Sequence, residues 1–118
     1  MRYVMLVYQD EKAAKAASEA EMAESLELFN AFHEELIASG HLQVGQRLRH
    51  SDTATTIKVR EGKTLTTDGP FAETKEQLGG FYIFECRDLD EAIEIAARIP
   101  AALSGSIEIR PAYPLPAE

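Results

Sequence analysis

The sequence predicts a single α+β domain over residues 1–118, a ferredoxin-like split βαβ arrangement with an inserted β-hairpin. Three observations lead to this prediction. Segments with strand and helix periodicity follow one another in the order β-α-β(ββ)-β-α-β. Both helical segments begin with a capping-box pattern. Two of the strand segments carry apolar side chains on both faces, which is typical of central strands in a covered sheet.

Length and composition are those of an ordinary globular domain. The chain has 118 residues, 45 % of them hydrophobic, and its single cysteine excludes an intrachain disulfide. No segment approaches the roughly 20 apolar residues that span a bilayer. The first residues also lack the pattern of a signal peptide, so we expect a cytoplasmic protein without a membrane partner. The net charge of −8 disfavours nucleic-acid binding, because the phosphate backbone repels an acidic chain.

The first strand and the first helix lie within residues 2–39. Residues 2–8 are apolar on both alternating faces, which predicts a central strand. Residues 18–39 predict a helix, because Ser18 and Glu21 form a capping box and Gly40 suits the left-handed position after the helix end. One face of this helix is apolar apart from a histidine, and it comprises Met22, Leu26, Phe29, His33 and Leu36, widened by Leu28 and Phe32.

The middle of the chain predicts three short strands, at residues 42–48, 54–60 and 64–67. The last two are joined by a tight hairpin turn at residues 61–63.

The second half predicts a further strand, a helix and an edge strand. Residues 80–86 form a strand with two apolar faces, and Cys86 at its end is expected to be a small buried side chain. Residues 88–99 form the second helix, whose expected inner stripe consists of Leu89, Ala92, Ile93 and Ala96. Residues 106–110 alternate as an edge strand does, and the proline-rich tail 111–118 is predicted to be extended.

This order of elements raises the question of what covers the second face of the sheet. Right-handed crossovers place both helices on one face, with strands 2–8 and 80–86 in the centre. Both central strands also direct apolar side chains toward the other face, and an uncovered face of that kind is an interaction surface. We therefore expect a homodimer that forms sheet to sheet around a two-fold axis. The alternative is that the inserted hairpin and the C-terminal tail fold over this face.

The densest polar cluster is the segment DGPFAETKE, residues 68–76. Gly69 before Pro70 predicts an extended entry into a turn, and Pro70 suits the first turn of a short helix at residues 71–76. Asp68 has two interpretations. It accepts backbone N–H bonds at the start of that helix, or it presents a carboxylate at the mouth of a cleft between sheet and helices. In such a cleft the carboxylate acts as a base or orients a histidine.

The segment DGPFAETKEQLGGFY, residues 68–82, closely resembles the signature of the DGPF group of YCII-related proteins. The resemblance continues through ATTIKVR (54–60), DEA (90–92) and IEIRP (107–111), so that it spans nearly the whole chain. It implies a ferredoxin-like fold of the dimeric α+β barrel type. It also implies a suspected enzymatic role through a His–Asp pair in a pocket, in a family without an established general function.

The resemblance leaves the activity open. The same barrel type hosts cofactor-free monooxygenases, isomerases such as muconolactone isomerase, and small-molecule binders, so the fold alone cannot choose among them. Proteins of the DGPF type are also commonly encoded beside extracytoplasmic-function sigma factors, which suggests a regulatory context.

His33 leads to two hypotheses about function. On the apolar stripe it is either a core residue or, if it meets a carboxylate, a general acid or base. Resemblance to the family's suspected pair indicates Asp68 as that carboxylate. The first hypothesis is an enzyme that transfers a proton on a small organic molecule, with His33 and Asp68 as its catalytic residues. The second is a non-catalytic module that binds a small ligand or a protein and is linked to transcription regulation.

Four further residues are candidates for ligand contacts: Phe71, Glu73, Lys75 and Tyr82. Glu73 and Lys75 suit an anionic or polar ligand, or they belong to a solvated turn with a weak ion pair. Tyr82 is a hydrogen-bond donor to a ligand, or a strand residue that packs in the core.

No pattern in the sequence indicates a metal or a cofactor. The histidines at positions 33, 41 and 50 have no zinc-site spacing, and His41 and His50 are expected in solvent. Gly79 and Gly80 are an isolated pair before a strand rather than a phosphate-binding loop. We therefore expect a protein that works without metal or cofactor.

Overall fold

The computed structural model describes residues 1–114, which form six strands and three helices. In chain order these are β1 Arg2–Asp10, α1 Glu11–Lys15, α2 Glu19–Ser39, β2 Leu42–Arg47, β3 Thr55–Arg60, β4 Lys63–Asp68, β5 Glu76–Glu85, α3 Leu89–Ala97 and β6 Ser106–Pro111. The predicted α+β class is confirmed. The last part of the predicted extended tail, residues 115–118, lies outside the described residues.

The main sheet has four antiparallel strands in the order β2-β5-β1-β6. The two strands with apolar residues on both faces, β1 and β5, are therefore central, as the sequence predicted. Directly opposite residues of an antiparallel pair share a face. Tyr3 stands opposite Phe84 and Met5 opposite Tyr82 on one face, while Leu6 stands opposite Phe81 on the other.

The predicted starts of both longer helices and the end of α2 are confirmed by their caps, whereas α3 ends at Ala97 instead of residue 99. Ser18 and Glu21 form a complete capping box at the start of α2, and Gly40 ends the helix with a φ of 76°. Asp88 accepts a hydrogen bond from the backbone N–H of Glu91 at 2.9 Å at the start of α3. The sequence reading missed the short helix α1, which Asp10 caps through the N–H groups of residues 12 and 13.

The core lies between one face of the main sheet and the two longer helices. It contains Tyr3, Met5, Val7, Tyr82, Phe84 and Cys86 from the sheet side, Phe32 and Leu36 from α2, and Ala92, Ile95, Ala96 and Ile99 from α3 and its end. Apolar residues of both helices thus meet on the same face of the sheet, as predicted.

The predicted inner stripes of the two helices are only partly correct. In α2 the residues Phe32 and Leu36 are buried, whereas Met22, Leu26 and Leu28 are about half exposed, because only the C-terminal turns of this 21-residue helix pack on the core. In α3 the predicted Leu89 and Ile93 are also about half exposed, and Ile95 lies inside instead. The true stripe of α3 runs 92-95-96-99, which is the ordinary spacing of one helical face.

The inserted hairpin forms a separate two-stranded sheet of β3 and β4. Its tight turn is present as predicted, with Glu61 and Gly62 both at positive φ. Ile57, Val59 and Leu65 are each more than half exposed and lie on both faces of the hairpin. The alternative in which the hairpin folds over the open sheet face is therefore wrong, because such a contact would bury one of these faces.

Within residues 1–114 the second face of the main sheet has no helix on it. This open face is centred on Val4, Leu6, Phe81 and Ile83, which are partly buried by their neighbours, and on the exposed Val44 of β2. Oppositely charged residues border it, with Arg2 opposite Glu85 and Glu108 paired with Arg110. The open face thus combines an apolar centre with charges of both signs.

Candidate functional site

His33 lies in the C-terminal half of α2, beside the two helix residues that reach the core. Its ring stacks on Phe29 one turn earlier, with centroids 6.0 Å apart and planes 17° from parallel. The ring nitrogen Nδ1 is fully buried and has no hydrogen-bond partner; among the described residues, no other buried side-chain nitrogen or oxygen is left in this state. Buried polar atoms are nearly always paired, so this exception marks His33 as a candidate functional residue.

Asp68 is the last residue of β4, at the base of the hairpin, and its side chain is exposed. The structure does not join it to His33: within residues 1–114 neither a hydrogen bond nor an ion pair connects the two side chains. The neighbouring backbone is tied to the hairpin instead. The Gly69 N–H donates to the carbonyl of Ala54 at 2.7 Å, and Thr56 Oγ1 donates to the carbonyl of Gly69 at 2.8 Å.

The short helix expected at residues 71–76 is wrong, because this segment is an irregular loop that leads into β5. Side chains hold its shape. Gln77 Nε2 donates to the carbonyls of Ala72 at 3.1 Å and Thr74 at 3.2 Å, and Thr74 Oγ1 donates to the carbonyl of Glu76. Without that helix Asp68 has no helix start to cap. Its interpretation as a capping residue is therefore wrong as well.

The candidate ligand contacts are divided between this loop and the core. Phe71, Glu73 and Lys75 are exposed, and Phe71 keeps 85 % of its surface in solvent. Lys75 lines a cleft of about 290 Å³ together with Asp10, Glu76, Ser104 and Gly105. This cleft lies where the end of β1 and the start of β5 meet the residues that precede β6. The fourth candidate, Tyr82, lies in the core and is not part of this cleft.

The Tyr82 ring is buried in the core. This agrees with the second of its two interpretations, in which it is a strand residue that packs in the core. It stacks on Phe84 with centroids 5.4 Å apart and meets Phe32 edge-on at 6.0 Å. Burial raises the pKa of the Tyr82 hydroxyl, and the positive charge of Arg47 acts in the opposite direction. Gly45 leaves room for the ring, since a Cβ there would lie 2.9 Å from it.

A second cleft, which the sequence reading missed, lies where β2 ends. It has a volume of about 460 Å³ and is lined by Arg47, Leu48, Arg49, His50, Asp52 and Thr53, and we refer to it as the basic cleft. His50 is exposed, as expected, and is one of the residues that line this cleft. The signal in the sequence was the run RLRH at 47–50, three basic or titratable side chains within four residues of an acidic chain.

His41 was expected in solvent, but its ring contacts a carboxylate of α3. Its Nε2 lies 3.4 Å from Glu91, which in turn pairs with Arg87 at 3.1 Å. This cluster links the start of β2 to α3, so His41 is a structural contact between these elements.

The described part of the chain holds neither a metal-binding cluster nor an exposed thiol. Residues 1–114 contain no group of three or more His, Cys, Asp or Glu side chains placed to hold a metal ion. Cys86 is buried, and that burial raises the pKa of its thiol, so the reactive thiolate is disfavoured. None of the helices in residues 1–114 combines the length and the apolar character needed to cross a membrane.

Comparison with known proteins agrees with the resemblance carried by residues 68–82. The model of the YCII-related domain family matches residues 1–116. An uncharacterized protein of Rhizobium meliloti (strain 1021) is 39 % identical over 113 residues, which cover 94 % of this chain and 91 % of that protein. The match extends over both central strands, both longer helices and the inserted hairpin. The chain therefore belongs to the YCII-related family.

Proposed function

We propose that this protein, as a member of the DGPF group of its family, is an enzyme that transfers a proton on a small organic molecule, with His33 as the acid–base residue. The observation that supports this proposal is the buried, unpaired Nδ1 of His33. A neutral imidazole carries a donor on one ring nitrogen and an acceptor on the other. Proton transfer between carbon and oxygen requires a side chain that first accepts a proton and then returns it. A histidine beside an apolar surface supplies such a group.

Asp68 is the proposed partner that orients His33. A carboxylate that accepts from one ring nitrogen fixes which nitrogen carries the proton and so prepares the other for catalysis. Asp68 is available for this role, because it caps no helix and its side chain is exposed at the base of the hairpin. Support for this part of the proposal comes from the family resemblance rather than from a contact within one chain.

Solvent deuterium exchange tests the proposal. The protein is incubated in D₂O with small 2-oxo acids and lactones, and loss of the acidic C–H signals is followed by proton NMR. We expect exchange with the wild-type protein, none with His33→Leu and slower exchange with Asp68→Asn. Equal exchange rates for wild type and His33→Leu, with both folded, would contradict the role of His33. His41→Leu, at a histidine that lines neither of the two clefts, is the matched control.

The second candidate is a non-catalytic binding module, and the exposed apolar surface of the hairpin supports it. Ile57, Val59 and Leu65 form an apolar arm that an isolated chain leaves in water. A partner protein, or a ligand-dependent regulator of transcription, is consistent with such an arm. This candidate predicts saturable binding that survives His33→Leu, without any isotope exchange.

We also propose that the protein is a homodimer in which two open faces pack together as a ferredoxin-like, dimeric α+β barrel. The central residues Leu6 and Phe81 supply an apolar contact, and the charges around them are of both signs, so a two-fold axis can bring opposite charges together. Sedimentation equilibrium at micromolar concentration tests the dimer. Leu6→Arg should give monomers, whereas Leu103→Arg, a change at an exposed leucine outside this face, should not. A monomeric wild type would refute the proposal.

A further inference from the structure

The basic cleft has a composition that the rest of this acidic chain does not share. Arg47, Arg49 and His50 contribute to one concave surface of about 460 Å³. Its one carboxylate, Asp52, lies 3.4 Å from Lys15. Within residues 1–114 neither arginine forms an ion pair. Two unneutralised guanidinium groups thus face one cavity in a protein whose net charge is −8.

The walls of the basic cleft are held in place by hydrogen bonds. The backbone N–H of Ser51 donates to Glu11 Oε2 at 2.7 Å, and the Ser51 hydroxyl donates to the same carboxylate. Thr53 donates to the carbonyl of His50 through both its backbone N–H, at 3.0 Å, and its hydroxyl, at 2.7 Å. A preorganised loop loses less conformational entropy when it binds a ligand, so these bonds favour binding.

Arg47 is the last residue of β2, so the strand register fixes the face of the sheet on which it lies. Arg47 stands opposite Gly80, and Gly80 in turn stands opposite the buried Val7, so register puts Arg47 on the helix-facing side of the sheet. The backbones approach closely here, since a Cβ on Gly80 would lie 2.9 Å from the carbonyl oxygen of Gln46. The influence of Arg47 on the Tyr82 hydroxyl agrees with this placement.

We infer that the basic cleft binds the oxyanion group, a carboxylate or a phosphate, of a small organic ligand through Arg47 and Arg49. The planar guanidinium fork matches two oxygens of either group, and such charge-assisted bonds are shorter and stronger than neutral ones. His50 supplies a further donor at the rim. The inference does not depend on proton transfer by His33, because it uses none of the same residues.

Calorimetry and NMR of the full chain test this site, with inorganic phosphate and succinate as probes in buffers matched for ionic strength with sodium chloride. We expect binding of at least one probe, with shifts of the Arg47 and Arg49 Nε–H resonances. Because a charge-assisted hydrogen bond contributes about tenfold to a hundredfold in affinity, Arg47→Gln and Arg49→Gln should each weaken binding by at least about tenfold. Binding of phosphate alone or succinate alone would identify which oxyanion the cleft prefers.

Two controls make the result decisive. Arg60→Gln removes the same charge from the hairpin and should leave the affinity unchanged, and Arg49→Lys keeps the charge but loses the fork, so it should bind more weakly than wild type. The inference is overturned if neither probe shifts the two arginine resonances, or if Arg60→Gln weakens binding as much as Arg49→Gln. Circular dichroism establishes that each variant is folded. Probe binding that persists in His33→Leu would separate this site from the proposed proton-transfer site.

Discussion

Replacing His33 with leucine removes a ring nitrogen that is buried without a partner, and we expect the folded state to become more stable. An unpaired buried polar group costs about 1–3 kcal/mol. The substitution also removes the stacked contact between His33 and Phe29, and aromatic pairs contribute about 0.5–1.5 kcal/mol. The difference centres near 1 kcal/mol in favour of leucine, which is a rise in Tm of about 3–6 °C for a domain of this size.

Guanidinium denaturation followed by circular dichroism measures this change at one fixed protein concentration, because dimer formation would make stability depend on concentration. His50→Leu, the same substitution at an exposed histidine, should change the free energy of unfolding by no more than about 0.5 kcal/mol. A loss of about 2 kcal/mol or more in His33→Leu would refute the reasoning, since it would mean that Nδ1 has a partner in solution. A stabilised variant that loses function would show that His33 is retained for its chemistry.

Two further predictions concern the fold around the site. Gly105→Ala should lower the free energy of unfolding by more than about 3 kcal/mol, because its Cβ would lie 2.1 Å from the backbone oxygen of Tyr8. Gly79→Ala should lower it far less, because the nearest atom to its Cβ is a flexible side-chain oxygen at 3.0 Å. Chemical denaturation of both variants measures the two changes. Ser18→Ala should lower the free energy of unfolding by about 1 kcal/mol. The hydrogen bonds from Ser18 lower the pKa of Glu21 below 4.5, so its contribution to stability is present above pH 4.5 and is lost as the pH falls through the folded-state pKa. The largest cause of the lowered pKa is the Ser18 backbone N–H, which donates to Glu21 and which alanine would keep. Denaturation curves across that pH range should therefore show this loss in the wild type and not in Glu21→Gln, whose amide does not titrate; an identical pH dependence in both would contradict the assignment.

Local sequence signals predicted most of the secondary structure. The capping box of α2, the glycine after it and the hairpin turn act through bonds within a few residues, and each is present where it was expected. At α3 only half of the predicted capping box forms: Asp88 caps the helix, but the Glu91 side chain accepts from the N–H of Arg87 instead of Asp88. The predicted helix at residues 71–76 failed because Gln77 and Thr74 bind the carbonyls of this segment and β5 begins at Glu76. The single proline at position 70 was too weak a signal to outweigh those contacts.

The sequence could indicate single residues of the candidate site, but not the contacts between them. The sequence identified His33 as an exceptional residue on an apolar stripe, but only the fold shows that its Nδ1 has no partner. It also grouped His33 with Asp68, although one chain provides no contact between them. The sequence contains the basic run at residues 47–50, but a run of charges does not by itself predict a binding site. Only the fold shows that these side chains line one concave surface.

The sequence by itself determined the family, the α+β class, the central position of β1 and β5, and the starts of α2 and α3. These properties depend on periodicity and on hydrogen bonds between near neighbours, which a linear pattern records. Tertiary structure alone decided which stripe residues are buried, which carboxylates and guanidinium groups are paired, and where cavities form. Those properties depend on contacts between residues distant in sequence, where the order of strands and the reach of each helix decide which side chains meet.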